Sequence, residues 1–228
     1  MVGSSKKMAF GTSMVLAVAL VAFCSVQSRR WSQKAKAESY LCQGKMTYAL
    51  SVILEFAKAN GSYPEATGLY EGGDHSWRVI ALGVSDGPDS IAGYDTGQAW
   101  GARRNVDAAK NVTRAFSCVE CGSGSCVANI LAVDGSRTVM RSYHNGGSRK
   151  FNSSHLEKII LVAVEGRQPW YAPGDLDLDS CDESRYREIV ERGVGVRVPA
   201  RYVTLAGKHG LLEDLEYEDF VRMCVLPE

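Results

Sequence analysis

Apolar residues run without a charge from residue 8 to residue 26, and then thin into an amphipathic stretch from residue 30 to residue 59. In that stretch Leu41, Tyr48, Ala49, Val52, Ile53, Phe56 and Ala57 recur at helical spacing and give one apolar face. Asn60-Gly61 supplies a C-cap and Pro64 forbids continuation. The pattern predicts one helical spine. Its last third packs on a globular body.

Beyond Pro64 the periodicity shortens. Residues 65–74 are Gly-rich and read as a loop, and residues 79–82 are a short apolar run packed on the spine as helix or strand. Residues 85–97 read as loop and 103–110 as a short helix. Three segments read as strands: 127–133, 158–165 and 201–205, of which the β-branched run KIILVAVE is fit for a central position. Residues 143–154 read as an exposed loop, 206–210 as a turn, and 182–192 and 216–224 as helices. A long helix followed by a few strands predicts an α+β fold, with the helix laid on an antiparallel sheet. The expected divisions are a basic leader (1–7), a transmembrane anchor (8–26), a helical stalk and core helix (27–60) and a β-rich globular domain (61–228).

The span at 8–26 is about 28 Å long at helical rise, against a hydrocarbon core of roughly 30 Å. A cleaved signal would need small residues before the cut, and Ala22-Phe23-Cys24-Ser25 supplies a poor match. A lipoprotein would need a small residue where Phe23 precedes Cys24. Arg29, Arg30, Lys34 and Lys36 follow at once, which fits a retained anchor. Positive-inside counting leans towards a cytoplasmic globular domain. The cysteines lean the other way, and the periplasmic or extracellular side is the expectation.

Composition narrows the partners. Lys plus Arg total 26, as do Asp plus Glu, so the formal net charge is zero, and nothing resembles a phosphate-tracking basic stripe. Nucleic acid is not an expected partner; the membrane, a second copy or an envelope protein is. Of seven cysteines, Cys118, Cys121 and Cys126 form the one cluster. Disulfides, half of a zinc site and free thiols all suit it. A zinc site would want a second paired motif, and a redox CxxC would open a helix rather than the Gly122–Ser125 loop.

Candidate chemistry is sparse. His75, His144, His155 and His209 accompany no nucleophile elbow, zinc-protease helix or phosphate-binding loop, so no catalysis and no cofactor is expected. Asp175, Asp177 and Asp179 alternate as an EF-hand loop begins, but position six is Ser180 and position twelve is Tyr186. They are at most a calcium candidate. Trp77, Trp100 and Trp170 are candidate binding aromatics, with core packing as the simpler role.

Several segments, in order, resemble one family. Cys42-Gln43-Gly44-Lys45, the apolar helix and Asn60–Pro64 are similar to the opening of the DUF1559 family of planctomycete bacteria. His75-Ser76-Trp77-Arg78-Val79 resembles its HSWRV segment. Tyr94-Asp95, Trp100, Asn105, Phe116, Cys118 and residues 129–133 follow in that family's order. Residues 158–165 with Pro169-Trp170-Tyr171-Ala172-Pro173-Gly174-Asp175-Leu176 resemble its strand and PW..P.DL segment. The resemblance covers about residues 38–224. It implies a type IV pilin-like architecture and a structural or interaction role in the cell envelope. A solute- or polysaccharide-binding role, with a pocket lined by Trp77, Trp100 or Trp170, is the alternative. The leader departs from the family pattern: no Glu stands in the apolar run.

Overall fold

The computed structural model describes residues 5–111, 115–118, 128–165, 169–194 and 198–227, with side chains from residue 22 onward except at 88, 110 and 111. The chain divides into two units, Met1–Glu38 and Ser39–Glu228. Helix α1, Ser5–Asn60, contributes to both.

In the first unit the helix is solvent-facing where its side chains are described, and Phe23, Val26 and Trp31 are exposed. Among the described residues no helix is long and apolar enough to cross a membrane. Most of the expected span lies outside that set, because the side chains of residues 8–21 are not described.

In the second unit α1 becomes a core helix. Cys42, Met46, Ala49, Val52, Ile53 and Ala57 are buried; of the face that the helical spacing predicts, Ala49, Val52, Ile53 and Ala57 are in the core, Tyr48 and Phe56 are partly buried against it, and Leu41 is exposed. The helix stops as expected. Asn60 Nδ2 donates to the Phe56 carbonyl at 2.9 Å, and Gly61 turns left-handed at φ 71 while its N–H donates to the Ala57 carbonyl.

The expected loop at 65–74 is instead largely a hairpin, a correction to the sequence reading. Strand β1, Thr67–Tyr70, pairs antiparallel with β2, Gly73–Ser76. The glycines that suggest a loop make the hairpin possible: Gly73 sits at φ 107, and a Cβ on Gly72 would fall 2.3 Å from the Gln98 backbone. Ser76 then caps helix α2, Trp77–Ser85, its side chain accepting from the Arg78 N–H. Helix α3, Arg103–Asn111, falls where the charged stretch predicts.

The main sheet has five strands: β3 (Ile130–Asp134), β4 (Ile159–Ala163), β5 (Leu176–Asp177), β6 (Arg201–Thr204) and β7 (His209–Leu211). Their order is β5-β3-β4-β6-β7. All neighbours are antiparallel except β5, which runs parallel to β3, so the sheet is mixed rather than antiparallel throughout. Residues 206–208 are the turn; His209 and Gly210, read as part of it, lie in β7.

Strand β4 is buried on every residue and central, as its unbroken apolar run implies. Its residues serve two cores in turn. Leu161 and Ala163 join the core built with α1 and α2, whereas Ile159 and Val162 join a second core. That second core uses Tyr186 and Ile189 of helix α4, Glu183–Arg192, and Phe220 and Cys224 of helix α5, Tyr217–Cys224. A register irregularity between Ile159 and Leu161 puts Ile160 and Leu161 on the same side.

A disulfide joins Cys42 of α1 to Cys118, 76 residues later. It fastens the spine to the segment that leads into β3. Cys121 and Cys126 lie outside the described residues, so the cluster as a whole is not seen. Cys24, Cys181 and Cys224 are free thiols. Closing a loop of this length contributes roughly 4 kcal/mol in the chain-entropy picture. Replacing Cys42 and Cys118 by Ser should therefore lower the urea midpoint, followed by tryptophan fluorescence, by the shift that corresponds to a loss of roughly 4 kcal/mol in unfolding free energy. A midpoint unmoved by the substitution would show that the bridge constrains nothing.

Candidate functional site

The site grows from one residue that composition would place outside. Arg78 is the second residue of α2, inside the apolar run Trp77-Arg78-Val79-Ile80, and its side chain is fully buried. Each end of the guanidinium finds a partner. Nη1 donates to the Ser76 hydroxyl at 2.9 Å, and Nε and Nη2 both donate to the Ile130 carbonyl. Nη2 also donates to Asp175 Oδ1 at 2.7 Å.

Asp175 reaches this position from the residue before β5, the edge strand beside β3. Gly174, at φ 132, makes a turn that a side chain would strain, and β5 begins two residues later. Oδ1 of Asp175 accepts two further bonds, from Trp77 Nε1 at 3.1 Å and from the Ala132 N–H at 2.7 Å. The pair therefore ties α2 to β3 and to the start of β5. Its side chains are 0% and 1% exposed. Oδ2 has no hydrogen-bond partner among the described residues.

Burial dominates the electrostatics. It lowers the Arg78 guanidinium from its ordinary value and pushes the Asp175 carboxyl up to about 6, against the pull of the Arg78 charge. Both groups are charged at neutral pH. A buried pair is costly to assemble, and costlier to break from one side.

Trp77 borders this pair, and the other two tryptophans join it through a chain of packed rings. Trp77 packs edge-on against Phe116 at 5.3 Å, and Phe116 stacks on Trp170 at 5.9 Å. Trp170 meets Tyr171, which meets Trp100. Trp77 is fully buried and Trp170 is 4% exposed. The aromatics expected to line a pocket are thus joined to one another, and none of the three lines the recess described next.

That recess, of about 130 Å³, lies between α4 and the β5–β3 edge of the sheet. Leu131, Val164, Leu176 and Ile189 give it apolar walls, and Asp175 lines it too. Its charged residues pair with each other: Arg192 with Glu165 at 3.4 Å and with Glu188 at 2.8 Å, and Arg185 with Glu188.

The three alternating aspartates do not gather round a cation. Asp175 faces Arg78, Asp177 accepts from the Asp179 N–H, and Asp179 accepts from the Ser136 N–H and hydroxyl. Among the described residues no three metal-ligating side chains come together. Cys118, the first member of the thiol cluster, is spent in its disulfide. The histidines are dispersed: His75 Nδ1 meets the Tyr94 hydroxyl at 2.8 Å, His209 Nε2 meets Thr47 at 3.0 Å, and His144 lies against Tyr143. Burial holds His75, His155 and His209 below the usual imidazole value.

Nothing local in the sequence points from Arg78 to its partner, 97 residues away. The available signal was a single cation inside an apolar run, which must find an anion if it is buried. No family model, curated protein or solved structure matches the chain.

Asp175→Leu should cost about 3–5 kcal/mol of unfolding free energy, because it leaves the Arg78 guanidinium, Trp77 Nε1 and the Ala132 N–H buried without their shared acceptor. Chemical denaturation at neutral pH measures it; a loss under about 1 kcal/mol would contradict the stated role.

The pH dependence has a definite sign. An acid whose folded pKa is raised contributes stability that is complete below its unfolded value of 3.8 and is lost as pH rises through about 6. The wild type should therefore gain stability relative to Asp175→Asn as the pH falls from about 7 to about 4. The histidines, common to both proteins, cancel in this difference. A gap that narrows over that range would reverse the assignment.

Proposed function

We propose that this chain is a membrane-anchored, pilin-like structural or interaction module of a bacterial envelope, with its globular unit on the periplasmic or extracellular side. It acts by holding position and meeting partners, among them further copies of itself, rather than by catalysis. The observation that carries the reading is the Cys42–Cys118 disulfide. Disulfides persist in oxidising compartments, and this one joins the globular unit to the same helix whose beginning holds the apolar run.

A second observation supports the resemblance to the DUF1559 family. Its two most distinctive segments here are His75–Val79 and Pro169–Leu176, and Trp77 and Arg78 of the first bond Asp175 of the second. Motifs that meet in a buried, fully packed pair are the kind a scaffold needs. A fold-borne likeness of this sort fits a module whose task is architectural.

Expression of the full chain in a Gram-negative bacterium tests the reading. The chain should sediment with membranes, and N-terminal sequencing should find the 8–26 run retained. Its disulfide should resist cytoplasmic reductants because it faces away from them. A mature soluble protein beginning after Ser25, or a chain whose Cys42 and Cys118 are reduced in the cell, would contradict it.

A further inference from the structure

Charge is balanced over the whole chain but not along it. Residues 137–158 hold five Lys or Arg and one acid, Glu157, whereas residues 213–219 hold five acids and no base. The fold makes two faces of these stretches, both within the Ser39–Glu228 unit.

On the basic face the cations lack anions. Arg141 donates to the Gly146 and Gly147 carbonyls, Arg149 to those of Ser136 and Thr138, and Lys158 to that of Arg222. None of these three, nor Lys150, meets a carboxylate among the described residues. They lie within reach of one another. Burial and then the Arg141 charge lower the Arg149 guanidinium, and burial, then the Arg149 and Lys158 charges, hold His155 down. Two apolar side chains are left open among them, Phe151 at 47% and Leu156 at 41% exposure. Phe151 and His155, the neighbour of Leu156, lie against the same ring, that of Tyr63, at 5.5 and 5.9 Å. A single exposed apolar residue needs no explanation. Two together among cations have the form of an interface centre and its polar rim.

The acidic face is an open cleft of about 230 Å³ between α4 and the turn that leads into α5. Val190, Leu215 and Tyr217 give it apolar surface, and Glu183, Glu191, Glu213 and Glu216 line it with carboxylates. Arg187, which also lines it, is paired with Glu183. Glu191, Glu213 and Glu216 have no ion pair among the described residues.

We propose that these two faces dock on one another between copies of the chain. Phe151 and Leu156 of one copy enter the cleft of the next, and Arg149, Lys150 and Lys158 meet Glu191, Glu213 and Glu216. This rests on the interaction role proposed above and names its surface. The faces are separate patches: Tyr217 at the start of α5 lines the cleft, whereas Lys158 meets Arg222 in the last turn of that helix. The contact is therefore head-to-tail, and its repetition gives a row or ring of copies. An acidic glycan would answer the cations but leave Phe151, Leu156 and the cleft uncovered. A few exposed charges round two apolar side chains make a weak, salt-sensitive contact.

The test is carbodiimide cross-linking of an equal mixture of unlabelled and ¹⁵N-labelled full chain in micelles, read by mass spectrometry. The reagent joins only lysines and carboxylates already in contact. Lys150 or Lys158 should be joined to Glu191, Glu213 or Glu216 in mixed-isotope peptides. Sedimentation equilibrium should show association that added salt weakens and that Phe151→Ser weakens about tenfold. Lys150→Glu with Lys158→Glu should dissociate the copies, and so should Glu213→Lys with Glu216→Lys. Mixing the two variants should restore association, because opposite charges then face each other again. Absent cross-links, links confined to residues 1–38 or to single-isotope peptides, or variants that do not rescue each other would each overturn the docking. Loss of the membrane anchor would change none of these results, so the two readings fail separately.

Discussion

Arg78 and Asp175 are 97 residues apart along the chain and 2.7 Å apart in the fold. Neither side chain reaches water. A guanidinium inside an apolar core is tolerable only if each of its nitrogens is hydrogen-bonded and its charge is met. Here the Ser76 hydroxyl, the Ile130 carbonyl and Asp175 divide that duty. The consequence is geometric. The N-terminus of α2, strand β3 and the start of β5 must assemble in one register, or the charge is stranded.

The rest of the globular unit reads as support for that assembly. The two-residue β5 would be a poor strand by itself; what holds it is Asp175 beside it, through Arg78, Trp77 and the Ala132 N–H. Strand β4 fills both cores by alternation, so α1 can cover one face and α4 with α5 the other. The Cys42–Cys118 bridge then fixes the spine to the segment before β3. The aromatic chain from Trp77 through Phe116 to Trp170 extends the core from one side of the pair.

What could be read from residues alone follows a physical divide. The end of α1 was legible because Asn60, Gly61 and Pro64 act locally. The centrality of β4 was legible because a strand buried on both faces shows an unbroken apolar run. The β1–β2 hairpin was hidden, because Gly72 and Gly73 look alike in a loop and in a tight turn. Strand β7 was hidden because His209-Gly210-Leu211 is held by backbone pairing to β6, which leaves no periodicity. The parallel partner of β3 and the match of Arg78 to Asp175 depend on long-range contacts, and no local signal records those. Trp77, Trp100 and Trp170 show the same limit. An aromatic is equally at home in a core and in a pocket, and only packing decides between them.

The central claim is that the buried pair acts as one unit on which the sheet and α2 depend. A double-mutant cycle measures this directly: unfolding free energies of the wild type, Arg78→Met, Asp175→Leu and the double variant at neutral pH. The account predicts strong coupling, with the double variant more stable than either single, because removing both charges strands neither. Additive losses, with the double variant the least stable of the four, would contradict it.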